Sequence, residues 1–215
     1  MVYVPATPAP AQTLAPPGVL AAAPAMLATP QHTTLRVRRS QLNVLMARSA
    51  TVTGTLGEGH RNGRPGRKVL LQGLSRHGWS TLATTHTGAL GKFRLKYFAR
   101  RLGSERVRLR FAGDGFGRPA HRLLGRLNVY RLAGASWYGG AGGLACGGSL
   151  TSSTLGVANK TLPCGTLVTL RYQGHTVRVP VIDRGPYVAG REFDLTEATK
   201  RALGFGDTGQ VWSTG

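Results

Sequence analysis

The chain has 215 residues, enough for one large domain or two small ones, each able to bury a hydrophobic core. Its 31 glycines and 12 prolines favour short strands and turns over long helices. No apolar run reaches the roughly 18 residues that a membrane-spanning helix needs. We therefore expect no transmembrane segment.

The net charge of +20 is concentrated in the N-terminal part of the chain. The first 133 residues hold 21 Lys and Arg against three Asp and Glu, whereas residues 134–215 hold seven against five. Such a basic field favours polyanions, among them nucleic acid, acidic lipid and anionic wall polymers. Because 18 of those 21 cations are arginine, a genomic base bias explains the composition equally well.

Residues 1–33 are rich in Ala, Pro and Thr and have no core-forming pattern, which predicts a disordered linker or the remnant of a leader. A signal peptide requires positive charge ahead of an apolar stretch. Here the first basic residue is Arg36, and Pro24 interrupts the apolar residues 18–27. No signal peptide is therefore recognisable in this segment.

Residues 34–131 predict a domain built from short strands. Apolar and basic residues alternate over 93–97 and again over 107–111, which places them on opposite faces of a strand. About seven such strands in roughly a hundred residues predict an immunoglobulin-like β-sandwich with basic outer faces. The predicted strands cover 34–38, 42–56, 68–75, 79–87, 92–98, 106–112 and 123–130.

Residues 134–215 predict a second domain, because the segment Leu-Ala-Gly at 132–134 is expected to interrupt the strand pattern. A hairpin is predicted over 166–183, with its tight turn at Gln-Gly 173–174. A final strand is predicted over 209–213. Many strands with one short helix in about eighty residues predict a small closed barrel.

The one predicted helix follows the hairpin. Asp194 and Glu197 have the spacing of an N-cap and its capping-box partner. Apolar residues at helical spacing follow them, and Gly204 predicts the end of the helix.

The two cysteines, Cys146 and Cys164, leave two interpretations open. In an exported protein an even number of cysteines predicts a disulfide, whereas in a reducing compartment both would be thiols. His175 is the one histidine after residue 133, so the second domain lacks the ligands of a zinc site. We therefore expect no metal and no cofactor.

Asp183 is the residue of the second domain that is best suited to acid–base chemistry. The alternating valines of 177–181 indicate a buried strand that brings Asp183 to the rim of the barrel. A carboxyl group partly removed from water suits a general acid. The structural alternative is that Asp183 pairs with Arg184 or caps the turn. His175 lies about 26 Å away along an extended strand, too far to assist.

Four separated motifs resemble the rare lipoprotein A (RlpA)-like double-psi β-barrel of septal-ring lytic transglycosylases. The resemblance covers residues 135–214, and the cysteines with their neighbouring glycines are also similar to expansin- and barwin-type barrels. It implies a six-stranded barrel with a Cys146–Cys164 disulfide. The motifs are Ala-Ser-Trp-Tyr-Gly at 135–139, Asn-Lys-Thr-Leu-Pro at 159–163 with Gly-Thr at 165–166, Asp-Arg-Gly-Pro-Tyr at 183–187, and Gly-Arg at 190–191 leading to Asp-Leu-Thr at 194–196.

The resemblance implies cleavage of the MurNAc–GlcNAc bond of peptidoglycan without water, giving a 1,6-anhydro product. Asp183 matches the essential aspartate of the family and would act as acid and base, while Asp194 is either a second carboxylate or the helix cap. Where lytic members carry a Glu and a His, this sequence has Gly148 and Asn159. The residues expected to bind the substrate are Trp137, Tyr138, Asn159, Arg184 and Tyr187.

The sequence as a whole predicts an all-β protein, an N-terminal immunoglobulin-like β-sandwich followed by a six-stranded double-psi β-barrel with one short helix. The first functional hypothesis is a lytic transglycosylase-like enzyme. The second is a non-catalytic, expansin-like protein that binds or loosens wall polysaccharide. A nucleic-acid binder is the third, disfavoured because aromatic residues are not interleaved with the arginines. We expect a secreted, wall-associated monomer whose partner is peptidoglycan or another anionic wall polymer, not nucleic acid.

Overall fold

The computed structural model describes Met1, residues 29–59, Arg61 and residues 63–215. Most of the linker predicted over 1–33 lies outside the described residues. At the end of that segment, Gln31 pairs with Gly117 and the first strand begins at Thr33. Within the described part of the chain, no helix is both long and apolar enough to cross a membrane.

The N-terminal unit consists of two β-sheets around one hydrophobic core. Its strands are β1 (Thr33–Gln41), β2 (Asn43–Leu45), β3 (Ser49–Glu58), β4 (Lys68–Ser75), β5 (Gly78–His86), β6 (Lys92–Phe98), β7 (Gly103–Phe111) and β8 (Ala120–Tyr138), with a 3-10 turn at Ala89–Gly91. One sheet has the order β1-β3-β6, and the other has the order β5-β4-β7-β8 with β2 parallel to β8. Side chains of both sheets meet in the core, among them Val52, Leu56, Leu71, Leu95, Val107 and Leu109.

Most strands of this unit lie where the sequence predicted strands, and β4 and β6 have the predicted bounds. The single strand predicted over 42–56 is instead β2 and β3, separated by a turn in which Ala47 has a φ of 62° and donates its N–H to the Ala99 carbonyl at 2.8 Å. The all-β class is confirmed. The immunoglobulin type of the sandwich stays a prediction.

Strand β8 is 19 residues long and crosses the position where an interruption was predicted. The segment 132–134 does not break the strand, and this part of the prediction was wrong. Gly134 allows the backbone at Gly190 to approach β8 closely, because a Cβ on Gly134 would collide with the carbonyl oxygen of Gly190. Ala133 and Ala135 on either side are buried in the second core. The same strand therefore belongs to both units.

Tyr130 occupies the junction within β8. Its side chain is fully buried, and its hydroxyl donates a hydrogen bond to Oδ1 of Asn43 at 2.8 Å. Its ring lies 5.7 Å from that of Trp212, centroid to centroid. One tyrosine therefore links the β2 segment of the first unit to the last strand of the second.

The C-terminal unit is a closed six-stranded barrel. Its further strands are β9 (Gly142–Gly143), β10 (Ser149–Leu150), β11 (Val157–Ala158), β12 (Leu167–Tyr172), β13 (His175–Asp183), β14 (Phe193–Thr196) and β15 (Gly209–Ser213). The ring runs β8-β14-β11-β13-β12-β15 and closes because β15 pairs with β8. Strands β9 and β10 form a small ribbon in the connection that follows β8. The barrel core contains Val157, Val168, Leu170, Val181, Phe193, Leu195 and Val211.

The predicted hairpin between β12 and β13 is present. Gln173 and Gly174 in its turn have φ values of 44° and 96°, as a tight turn with two left-handed residues requires.

The helix α1 covers Glu197–Leu203, and its N-cap is Thr196 rather than Asp194. The Thr196 hydroxyl oxygen accepts a hydrogen bond from the Thr199 N–H at 3.3 Å. Asp194 is instead a residue of β14, because its backbone pairs with neighbouring strands. Gly204 ends the helix in the left-handed conformation, as predicted.

The disulfide Cys146–Cys164 is present, as the resemblance implied. It ties the connection after β8 to the loop before β12. The Cys146 N–H also donates to the Ile182 carbonyl at 3.2 Å, which holds the same connection against the end of β13.

Removing this disulfide should destabilise the protein without changing its fold. The bridge joins residues 18 positions apart, and closing a loop of that size lowers the free energy of the native state relative to the unfolded chain by about 3 kcal/mol. We expect a loss of that order in the C146A/C164A double variant, measured by denaturant unfolding followed by circular dichroism. Reductant should lower the midpoint of the wild type in the same way, and an unchanged midpoint in either case would contradict the prediction.

Candidate functional site

The candidate site begins with a row of residues in register across four adjacent strands. Asp183 of β13 pairs with Ala158 of β11, Ala158 pairs with Asp194 of β14, and Asp194 pairs with Ser136 of β8. Neighbouring strands lie about 4.8 Å apart, so the Cα atoms of the two aspartates are separated by about 10 Å. An irregularity in the β11–β13 register falls at Asp183 itself, where the strand ends.

Asp183 is held by the backbone through one oxygen. Its Oδ1 accepts hydrogen bonds from the N–H groups of Ala145 and Arg184, each at 2.9 Å. Within the described residues, Oδ2 accepts no hydrogen bond. One carboxylate oxygen is therefore fixed in place while the other is available to a ligand.

Asp194 is held by a side chain. Its Oδ1 accepts a hydrogen bond from the hydroxyl of Ser136, the residue directly opposite on β8. Asp194 is half-buried, and Ser136 is buried. The second carboxylate is thus positioned on the same row of the barrel as Asp183.

Tyr138 brings a hydroxyl group to this pair. It lies two residues after Ser136 on β8, and the period of the strand places both side chains on one face. Its hydroxyl is buried and makes no hydrogen bond within the described residues. Burial and then the negative charge of the nearby Asp183 raise the pKa of Tyr138 far above its ordinary value, and Asp194 adds to the effect. The phenol therefore stays protonated and can donate a hydrogen bond.

The Arg184 side chain is bonded to the loop that precedes β12. Its guanidinium donates to the carbonyls of Asn159 and Leu162, at 3.0 and 2.9 Å, and approaches Sγ of Cys164 at 3.1 Å. Only its backbone N–H bonds to Asp183. The side chain therefore secures the loop before β12 rather than neutralising the carboxylate.

Asn159 secures the same loop from within. Its Oδ1 accepts hydrogen bonds from the N–H groups of Thr161 and Leu162, at 3.0 and 2.8 Å. Its Nδ2 donates to the Glu192 carbonyl at 2.9 Å, and its backbone N–H donates to the Asp183 carbonyl at 3.1 Å. The side-chain amide therefore bonds to backbone groups on both its oxygen and its nitrogen, and so it stabilises the loop.

Comparison with known proteins bears on this barrel. A family model described as lytic transglycolase matches residues 132–212. Residues 132–212 form an RlpA-like double-psi β-barrel domain. A Synechocystis protein named "Probable endolytic peptidoglycan transglycosylase RlpA" is 37% identical over 105 residues, 42% of this chain and 33% of its own. The Pseudomonas aeruginosa protein named "Endolytic peptidoglycan transglycosylase RlpA" is 40% identical over 87 residues, 38% of this chain and 26% of its own. The chain thus spans a third or less of the length of these relatives.

Among solved structures, the Streptomyces papain inhibitor aligns with 39% of this chain and 91% of its own, at 24% identity and a TM-score of 0.33.

Two aromatic residues predicted to bind substrate in the RlpA-like barrel lie in different places. Tyr187 follows the Gly185–Pro186 bond, which is cis, and its ring is 80% exposed, with the Lys160 ammonium 5.8 Å from the ring centroid. It is therefore free to stack on a sugar. Trp137 alternates with Tyr138 along β8, so its side chain points away from the face that carries Tyr138.

Trp137 belongs to a separate surface cluster with Lys200 and Asp207. Its indole N–H donates to Asp207 at 2.9 Å, and the Lys200 ammonium lies 3.8 Å from the ring centroid. Hydrogen bonds from Lys200 and then Trp137 lower the pKa of the Asp207 carboxyl. The structure therefore does not bring Trp137 to Asp183.

Gly148 of the RlpA-like barrel lies in the connection closed by the disulfide. It has a φ of 82°, which disfavours any residue with a side chain, although nothing lies within 4 Å of a Cβ there. Within the described residues, no three His, Cys, Asp or Glu side chains converge as a metal site would require.

Two contacts of the candidate site were not predicted from the sequence. The first is the bond from Ser136 to Asp194, and the second is the position of the Tyr138 hydroxyl near Asp183. The two-residue spacing of Ser136 and Tyr138 was visible in the sequence, but neither the strand that carries them nor its partner strand and register was predicted.

The structural role of Asn159 is open to a direct test. Asn159→Ala should lower the free energy of unfolding by about 2–3 kcal/mol, because two backbone donors and one carbonyl lose their partner in a half-buried loop. Asn159→Asp, which keeps the acceptor oxygen, should lose less. Equal and negligible losses in denaturant unfolding would show that the amide does not hold the loop.

Proposed function

We propose that the barrel cleaves the MurNAc–GlcNAc bond of peptidoglycan strands as a lytic transglycosylase, with Asp183 as acid and base. The observation that carries the proposal is the hydrogen bonding of this carboxylate. Its Oδ1 accepts hydrogen bonds from two backbone N–H groups, and its Oδ2 is available to a ligand. The match of residues 132–212 to the lytic transglycolase family supports the choice of reaction. The relatives described above are named as peptidoglycan transglycosylases, which supports the choice of substrate.

The proposed reaction needs one proton donor and one acceptor at different moments. Protonated Asp183 gives its proton to the glycosidic oxygen as the bond from C1 of MurNAc to that oxygen breaks, and the GlcNAc end leaves as an alcohol. The C6 hydroxyl of the same MurNAc then attacks C1, and its proton returns to Asp183. The products are a 1,6-anhydro-MurNAc end and a free GlcNAc end, with no water consumed and the carboxyl regenerated.

Tyr138 and Asp194 have supporting roles in this proposal. The Tyr138 phenol remains protonated and lies near Asp183, so it can donate a hydrogen bond to the free carboxylate oxygen in the step in which Asp183 is anionic. Asp194 is half-buried and bonded to Ser136 on the same row. It stabilises the positive charge that develops at C1 by electrostatic attraction.

Substrate would be held on the rim beside Asp183. Tyr187 presents an exposed ring four residues after the carboxylate, and Lys160 lies next to it. An exposed aromatic ring stacks on the apolar face of a sugar, and an ammonium attracts the carboxylates of the wall polymer. Because the proposed substrate lies outside the cytoplasm and the barrel carries a disulfide, we propose that the protein acts outside the cytoplasm.

A non-catalytic wall-binding protein is the second candidate, and the loop before β12 favours it. Asn159 stands where lytic members are expected to have a histidine, and its amide is committed to backbone groups. Gly148, at the position expected for a glutamate, contributes no side chain. The rim and Tyr187 would then bind glycan strands without cutting them.

Product analysis separates the two candidates. Purified protein incubated with peptidoglycan should release anhydro-muropeptides detectable by mass spectrometry, and Asp183→Asn should lower the rate at least about a hundredfold by removing the proton carrier. Asp207→Asn is the matched control, since that carboxylate is exposed and bonded to Trp137 and Lys200 on another face. Wild-type protein that binds peptidoglycan and yields no anhydro ends would favour the second candidate.

Tyr138→Phe tests the role of the phenol. Loss of a hydrogen bond to a charged group costs about 1.5–3 kcal/mol, so kcat should fall by roughly tenfold to a hundredfold while KM changes little. Tyr172→Phe is the control, because the Tyr172 ring packs against Phe205 and its backbone pairs with His175, at the opposite end of β13 from Asp183. A change in KM alone would assign Tyr138 to substrate binding instead.

A further inference from the structure

The outer face of the sheet formed by β4, β5, β7 and β8 carries a row of arginines. Val107, Leu109 and Phe111 of β7 are buried in the core, so the alternating residues point to the outer face. Those alternating residues are Arg106, Arg108 and Arg110. Successive members are two residues apart, which is about 6.8 Å along the strand.

The row continues across the sheet and into the barrel. Arg126 of β8 lies directly opposite Arg106. Burial, then the positive charges of Arg178 and Arg106, lower the pKa of Arg126. Arg178 is an exposed residue of β13, so the cations extend from one unit to the other. These five residues, Arg106, Arg108, Arg110, Arg126 and Arg178, are called the arginine tract below.

The arginine tract has no acidic partner among the described residues. The ion pairs that the described residues form all involve cations outside the tract, namely Arg64, Arg67, Arg131, Lys200 and Arg201. The repulsion between Arg106, Arg126 and Arg178 is therefore not balanced within the described part of the chain. A bound polyanion would relieve it.

Two members of the tract are held in place by uncharged groups. Arg108 donates from Nε to Oε1 of Gln72 at 3.0 Å, and its guanidinium lies 4.2 Å from the ring centroid of Trp79. Arg126 donates to the Ser104 carbonyl at 3.0 Å. Fixing the side chains in advance lowers the entropy lost when a ligand binds, and the remaining N–H groups are left for that ligand.

The spacing of the tract indicates the chemistry of the ligand. Three covalent bonds of an extended chain span about 3.5 Å, so a polymer with one phosphate every six bonds repeats at about 7 Å. That matches the step between arginines on β7, and the arginine fork binds phosphate well. Single-stranded nucleic acid has a similar repeat but needs stacking platforms. Trp79 on this face is already covered by Arg108.

We propose that the arginine tract binds an extended polyol-phosphate chain of the cell wall. The choice of a wall polymer rests on the proposed extracytoplasmic function, but the tract lies apart from Asp183 and requires no catalysis. The surface would anchor the protein while the barrel works on a neighbouring glycan strand.

The experiment measures binding of labelled poly(glycerol phosphate) to the whole protein by fluorescence anisotropy at several salt concentrations. Replacing Arg106, Arg108 and Arg110 together by glutamine should weaken binding about tenfold or more and reduce the slope of log K against log salt by about 2. The matched control replaces the exposed Lys92, Arg94 and Lys96 of β6 by glutamine, with the same loss of charge at the same spacing on the other sheet. That variant should keep the wild-type slope, because charges beyond about 8 Å are screened at physiological salt.

Further variants keep the result interpretable. Arg178 lies in the barrel, and Arg178→Gln should reduce the slope of log K against log salt by about 1. This single variant tests the proposal even if the triple variant does not fold. Asp183→Asn should bind the polymer like the wild type, so loss of catalysis and loss of anchoring are distinguishable. Equal losses in the two triple variants would overturn the proposal in favour of diffuse attraction. Equally tight binding of oligo(dT) or polyglutamate at the same salt would overturn the choice of a polyol phosphate.

Discussion

The hydrogen bonds of β8 are the constraint on which both units depend. This one strand pairs with β7 and β2 in the first unit and with β15 and β14 in the second. The hydrogen-bond ladder of β8 continues through the boundary, from the pairing of β2 at Tyr130 to the pairing of β15 at Arg131. The barrel closes only when β8 has its partners on both sides, so the barrel and the sandwich are coupled through a shared backbone.

The candidate site is a consequence of that closure. Ser136 reaches Asp194 because β8 and β14 run parallel and in register, and Asp194 is level with Asp183 because β11 pairs with both of their strands. The connection after β8 then returns, through the disulfide and the Ala145 N–H, to fix one oxygen of Asp183. A carboxylate held by backbone groups keeps its position without a charged neighbour, which leaves the free oxygen for chemistry.

Local patterns predicted elements wherever local physics decided them. Alternation over 92–98 gave the bounds of β6, and Gln173 with Gly174 gave the hairpin turn. The predicted N-cap of the helix was wrong. Asp194 satisfies a local capping rule, but its backbone pairs with two strands that are distant in sequence. The interruption predicted at Gly134 was wrong for a similar reason, since the small size of this residue permits contact with Gly190 and does not mark a turn. Residues of the site that depend on register, such as Ser136, cannot be paired from spacing alone.

Strand β13 connects the two proposed activities. Arg178 and Asp183 are five residues apart on it, about 17 Å, so the arginine tract ends within a few sugar lengths of the carboxylate. A protein held at the wall by the tract would present the rim to glycan at a high effective concentration, without tight binding by the rim itself. A weak rim allows a cleaved strand to leave, whereas the tract retains the protein at the wall. The four arginines that the first unit contributes to the tract would then have a physical role that the barrel alone does not explain.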